Sequence, residues 1–227
     1  MLNKICAVAC GKDVKELTKN LKALIKQTKT VEIRSDFAAD FTPAHLAAFA
    51  KETKNNRTVF TCRAKNEGGQ FNGSEKQRIE ILQSALKNKF TYVDFELKTV
   101  QKNKLKFSAG EAKKLIISYH DFNKTPSMAA LVKIKKDMLK YKPAVIKLAL
   151  MVKTQKDIFT LTRFLLDTIE ENQQIILLGM GEKAVFTRVM FPLMGSALTY
   201  AADGKAVAPG QLKINEFKQI YKTLKAV

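Results

Sequence analysis

Tryptophan is absent from the 227 residues, histidine occurs twice and cysteine three times. The odd cysteine count, with Cys6, Cys10 and Cys62 and no CxxC, argues against a disulfide framework or a thiolate zinc site and fits a reducing compartment. No apolar run approaches the roughly 20 residues of a membrane span. The apolar part of the opening MLNKICAVACGKD is too short for a signal helix, so the expected compartment is the cytoplasm. Glycine-rich GxGxxG is missing after the first strand-like run, which weakens a dinucleotide-binding reading. Acidic residues are also scarce, 21 against 40 basic ones, giving a formal net charge of +19. Such an excess favours anionic partners. The lysines are nevertheless spread along the chain, with no zinc-finger spacing and no aromatic-rich basic motif. Nucleic acid is therefore set aside as a partner in favour of a small anionic substrate, most of the charge being a solvated surface.

The apolar fraction, 46%, is enough for a sizeable core. Eight short runs rich in Val, Ile, Leu, Phe or Tyr read as strands: 4–10, 30–35, 57–62, 91–97, 114–120, 144–150, 174–179 and 196–201. Helical stripes lie between them, including Leu17, Leu21, Leu24 and Ile25, then Ile79, Leu82 and Leu86, then Ile158, Leu161 and Leu165. Thr42-Pro43 and Thr125-Pro126 read as N-caps followed by a first-turn proline. Ser74 with Gln77 reads as a capping box. The alternation predicts a single-domain α/β (β/α)8 TIM barrel over residues 1–227, with a doubly wound open sheet as the alternative.

Such a barrel carries its chemistry at the C-terminal ends of the strands. Glu32 and Arg34, two apart on one strand, share a face and can converge as substrate ligands or as a structural ion pair. Arg63 follows strand three and runs into Glu67-Gly68-Gly69. His120 ends strand five, Lys147 lies within the apolar strand six, Arg188 follows strand seven, and Gln211 ends the loop after strand eight. Asp94 and Glu96 share a face of strand four, with no specific role apparent. His45 lies in a helix-like stretch and is expected to be exposed. Each polar residue alone has a bland reading: a core histidine, a lysine that snorkels out of the barrel, a simple turn. Together they suggest more. A desolvated lysine among cations loses its proton more readily, becomes a nucleophile for a carbonyl and forms a Schiff base. A histidine beside it can move protons, and arginines suit a carboxylate-bearing or hydroxylated substrate. This chemistry fits barrel aldolases and dehydratases alike.

The segments VEIRSDF (31–37), FTCRAKNEGG (60–69), IISYHDFNKTP (116–126), AVIKLALM (144–151), TRVMFPLMGSALTYA (187–201) and APGQL (208–212) decide between them. In order and spacing the chain resembles the type I 3-dehydroquinate dehydratases, the Schiff-base enzymes of the shikimate pathway. The resemblance implies syn dehydration of 3-dehydroquinate to 3-dehydroshikimate. Lys147 would form the imine with the C3 ketone, His120 would take the C2 proton and assist loss of the C1 hydroxyl, and Glu67 would orient the histidine. Glu32, Arg34 and Arg63 would bind ring hydroxyls, and Arg188 with Gln211 the carboxylate. The loop before Gln211 would close as a lid. The resemblance implies no metal or organic cofactor, and a homodimer. Two departures stand out. Val207 occupies a position usually held by serine before APGQ, and Val8 another where serine is common. Each removes a donor, an expected loss of about 1.5–3 kcal/mol in binding a charged group. A Schiff-base aldolase, or a catalytically weakened homologue with a basic binding surface, is the alternative.

Overall fold

The computed structural model describes residues 1–202 and 210–225. Its strands are β1 (Ile5–Ala9), β2 (Thr30–Arg34), β3 (Arg57–Thr61), β4 (Tyr92–Glu96), β5 (Leu115–Asp121), β6 (Val145–Met151), β7 (Ile175–Met180) and β8 (Thr199–Ala201). All pair in parallel in the order β7-β6-β5-β4-β3-β2-β1-β8. The remaining seam is tied by Ala197 N–H to the Ile175 carbonyl at 2.7 Å and by Leu177 N–H to Ser196 Oγ at 3.1 Å. A sheet joined at that seam is a barrel, and the open doubly wound alternative falls.

Between the strands run α1 (Val14–Leu24), α2 (Leu46–Glu52), α3 (Glu75–Leu86), α4 (Leu97–Lys102), α5 (Ala109–Ala112), α6 (Met128–Leu139), α7 (Gln155–Glu170) and α8 (Thr187–Leu193), with α9 (Ile214–Thr223) after β8. Strand residues divide by period two into an outer and an inner set. Outward residues such as Val31, Ile33, Phe60, Val93, Phe95, Ile146 and Leu148 pack with Leu17, Leu21, Leu82 and Leu161 of the helices in one continuous core. Inward Cys6, Val8, Val59, Ile116, Val145, Ala149, Ile176, Leu178 and Tyr200 form a second, smaller cluster inside the barrel. Because both faces are covered, the strands read as near-continuous apolar runs.

Local signals largely place the helices. Ser74 and Gln77 form the expected capping box at α3. Thr42 precedes a 3-10 turn, Pro43–His45, that leads into α2. Its N–H donates to His45 Nδ1 at 3.1 Å, so the half-buried His45 has a structural place rather than the exposed one expected. The expected cap at Thr125 is two residues early. Ser127 caps α6, while the Thr125 hydroxyl donates to the Met151 carbonyl at 2.8 Å and ties the loop to β6.

Candidate active site

One cavity of ≈ 610 Å³, counted to its open mouth, is lined by Glu32, Arg34, Arg63, Glu67, His120, Lys147, Arg188 and Gln211, all eight of the nominated residues. The strand period explains their convergence. On β6 the inward residues are Val145, Lys147 and Ala149, while Ile146, Leu148 and Leu150 face the helices. Lys147 sits in an apolar run because its sequence neighbours belong to the other face. On β5 the same alternation sends Ile116, Ser118 and His120 inward.

Lys147 is 4% exposed. Its Nζ lies 2.9 Å from Asp94 Oδ2, 3.6 Å from Glu32 Oε1 and 4.3 Å from the centroid of the Tyr200 ring. The expected setting, a lysine among cations, is corrected: its nearest charges are carboxylates, which offset the cost of burying an ammonium. Asp94 is the residue that sequence reasoning left without a role. It also accepts from Arg63 at 2.8 Å and from the Ser118 hydroxyl at 2.6 Å. Burial alone would raise its carboxyl, but Arg63 and Lys147 overcome this and hold it well below the usual carboxylate range. The strand pattern D-x-E was the available signal, since it aims two carboxylates at one interior. Glu96, the second of them, takes Arg63 at 3.1 Å and Arg78 at 2.9 Å, so the buried Arg78 on α3 braces the site from outside the barrel.

Glu32 and Arg34 share a face, yet their ion pair is not the one that forms. Arg34 makes a two-pronged pair with Asp36, both contacts 2.8 Å, and Glu32 accepts from the Thr61 hydroxyl at 2.8 Å. Asp36 follows β2 in a 3-10 turn and reaches back to Arg34 more directly than Glu32, whose carboxylate turns toward Lys147.

Glu67 closes the 3-10 turn Lys65–Glu67 after β3. Gly68 then takes φ +82°, and a Cβ there would meet Phe122 Cζ at 2.7 Å. A Cβ on Gly69 would lie 1.9 Å from the Arg63 carbonyl oxygen. Two glycines are needed for the chain to fold back and aim Glu67 inward. Glu67 Oε2 lies 2.9 Å from His120 Nδ1. Burial pushes the Glu67 carboxyl up to about 7, against the pull of Arg63 and Lys98. Burial, then the cations Arg63 and Lys147, hold the His120 imidazole well below its ordinary range, so it is neutral at pH 7. Phe122 stacks near it, ring centroids 6.3 Å apart at 16°. Burial lowers the Arg188 guanidinium to about 10. Tyr200, Phe122, Leu178 and Met180 also line the cavity, and aromatic or apolar residue types gave no sequence signal for them. Val8 lines the cavity as well. Val207 and the lid segment before Gln211 lie outside the described residues.

The arrangement offers a buried amine, a neutral imidazole held by a carboxylate, and cationic side chains around a cavity. A model of the type I 3-dehydroquinase family matches residues 5–227. The chain is 33% identical over 224 residues to the 3-dehydroquinate dehydratase of Coxiella burnetii, covering 97% of this chain and 94% of that one. It is 33% identical over 225 residues to the enzyme of the same name from Methanococcus maripaludis, covering 97% and 99%. Its fold superposes on the type I 3-dehydroquinate dehydratase of Clostridium difficile with TM-score 0.81 at 25% identity, covering 99% of this chain and 93% of that one. Matches along the whole barrel show that the chain belongs to the type I 3-dehydroquinase family.

Proposed function

We propose that the chain removes water from 3-dehydroquinate, giving 3-dehydroshikimate, by syn elimination through an imine on Lys147. The observation that carries this reading is the convergence of Lys147 with a carboxylate-held His120 on one buried cavity. The Lys147 amine, once released from its carboxylate partners and a proton, adds to the C3 ketone and loses water to form the imine. The imine withdraws electrons from the C2–H bond, and His120 Nε2 takes that proton to leave an enamine. The enamine expels the C1 hydroxyl, which leaves as water with the proton that His120 returns. A second water hydrolyses the conjugated imine and restores Lys147, so one water is lost overall.

Glu67 supports this chemistry through its place on Nδ1. As a carboxylate it accepts the Nδ1 proton and leaves the Nε2 lone pair open toward the cavity. Arg188 and Gln211 would hold the substrate carboxylate, and Glu32, Arg34 and Arg63 the ring hydroxyls. Asp36, Asp94 and Glu96 fix the two guanidinia Arg34 and Arg63 in place, which keeps their donors pre-oriented. No metal or organic cofactor enters this sequence of steps. The purified protein should convert 3-dehydroquinate to the conjugated enone product, followed by ultraviolet absorbance, and Lys147→Ala should reduce turnover to background. Turnover of Lys147→Ala near the wild-type rate would overturn the assignment.

The proposal includes a homodimer in the cytoplasm. Phe159 on α7, 71% exposed, and Phe186 before α8, 49% exposed, offer apolar surface to a second copy. Among the described residues no helix is long and apolar enough to cross a membrane. Sedimentation at micromolar concentration tests the dimer, and a species of 25.5 kDa alone would contradict it.

A further inference from the structure

We propose that Lys98, an exposed residue outside the barrel, is a positioning residue that keeps the Glu67–His120 pair in the form in which His120 can accept a proton. The inference rests on the dehydratase reading of that pair.

The two oxygens of Glu67 have unlike surroundings. Oε2 holds His120 Nδ1 at 2.9 Å. Oε1 is buried and, among the described residues, accepts no hydrogen bond; the Lys98 ammonium stands 4.0 Å from it. Lys98 lies in the first turn of α4, two residues beyond Glu96, and its side chain is 54% exposed. It therefore reaches over the rim from solvent toward a carboxylate that is 2% exposed. The Tyr119 ring, with its centroid 5.3 Å from Nζ, gives the ammonium a second support on the way in.

The charges facing Glu67 come from four elements. Arg63, just past β3, favours its ionised form, and Asp94 and Glu96 on β4 oppose it. His120 on β5 donates to it or accepts from it according to protonation, and Lys98 on α4 favours the ionised form. Arg63 is already engaged by Asp94 at 2.8 Å and Glu96 at 3.1 Å. Lys98, among the described residues, makes its one ion pair with Glu67. Burial outweighs the cations here and pushes the carboxyl up to about 7, so each cation near it counts toward keeping it ionised. Removal of the Lys98 cation, 4.0 Å from Oε1, should therefore shift Glu67 further toward its protonated form near neutral pH.

The chemical consequence follows from the hydrogen bond. An ionised Glu67 takes the proton of Nδ1, and Nε2 is a base. A protonated Glu67 donates its O–H to Nδ1, the ring proton moves to Nε2, and the base is lost. Lys98 thus acts on the reacting histidine through Glu67 without touching substrate.

The test uses the full chain. Because Lys98 is exposed, Lys98→Met should fold as the wild type does. Its acid limb in the pH profile of kcat should move up by about half to one unit, with kcat on the alkaline plateau within about twofold of wild type. Lys98→Arg should restore the limb. In the substrate-free protein, 15N NMR of the His120 ring should show the tautomer change at higher pH in Lys98→Met. Superimposed pH limbs and an unchanged tautomer midpoint would overturn the proposal, as would a uniform loss of kcat at every pH. Should the wild type fail to turn over 3-dehydroquinate, the dehydratase reading falls, while the NMR comparison still judges Lys98.

Discussion

Glu67 is the side chain whose charge state should set the acid limit of activity. Its carboxyl, raised to about 7 by burial, must be ionised to hold His120 with Nε2 open. Activity should fall as pH drops through about 7, whereas a His120 held well below its ordinary range adds no further loss above that point. The stability effect has the opposite sense. In the unfolded chain the group titrates at about 4.3, so the folded state binds its proton more tightly and loses stability as pH rises from there through about 7. Glu67→Gln should raise the melting temperature at pH 8 while lowering kcat; an unchanged or lower melting temperature at that pH would contradict the burial account. Val8 is the second residue with a direct readout. It places a branched apolar side chain on the cavity wall where a hydroxyl is common in the resembling family. Val8→Ser should lower KM by about tenfold or more with little change in kcat, in keeping with one added donor worth about 1.5–3 kcal/mol. An unchanged KM would remove Val8 from the account of substrate affinity.

At the scale of elements, the strand runs and the Ser74 capping box were legible because each rests on local chemistry. Thr125 was misread as a cap because its hydroxyl bonds the Met151 carbonyl, a partner 26 residues away that no local pattern reveals. The Glu67-Gly68-Gly69 turn sits between these cases. Its glycines mark a turn in the sequence, but only the approach of the Arg63 carbonyl and the Phe122 ring shows why both are needed. Gly69→Ala would force a Cβ into backbone that cannot yield, so the turn should open and Glu67 should leave His120. We expect kcat to fall by about ten- to a hundredfold, with the circular dichroism of the barrel kept, since the turn lies at the rim. Wild-type kcat in a folded Gly69→Ala protein would contradict this role for the turn.

Across the whole molecule the arginines separate from the lysines. Of six arginines, Arg34, Arg63, Arg78 and Arg188 are buried at or behind the site. Glu75, Arg78, Glu96, Arg63, Asp94, Lys147 and Glu32 form a continuous ladder of ion pairs from α3 into the cavity. Planar guanidinium groups can bridge two carboxylates in fixed geometry, which a lysine surface cannot do. All eight residues singled out from the sequence line one cavity, because strand periodicity and family pattern both pointed to them. The sequence did not reveal which carboxylate meets which cation. Arg34 with Asp36, and Lys147 with Asp94, depend on the twist and closure of the barrel rather than on spacing along the chain. The most direct test of the central claim is borohydride trapping. The protein is incubated with 3-dehydroquinate, reduced with borohydride and digested, and the modified peptide is mapped by mass spectrometry. The account predicts a substrate-sized adduct on Lys147 of β6 and none in Lys147→Ala; an unmodified Lys147 in folded protein at saturating substrate would contradict it.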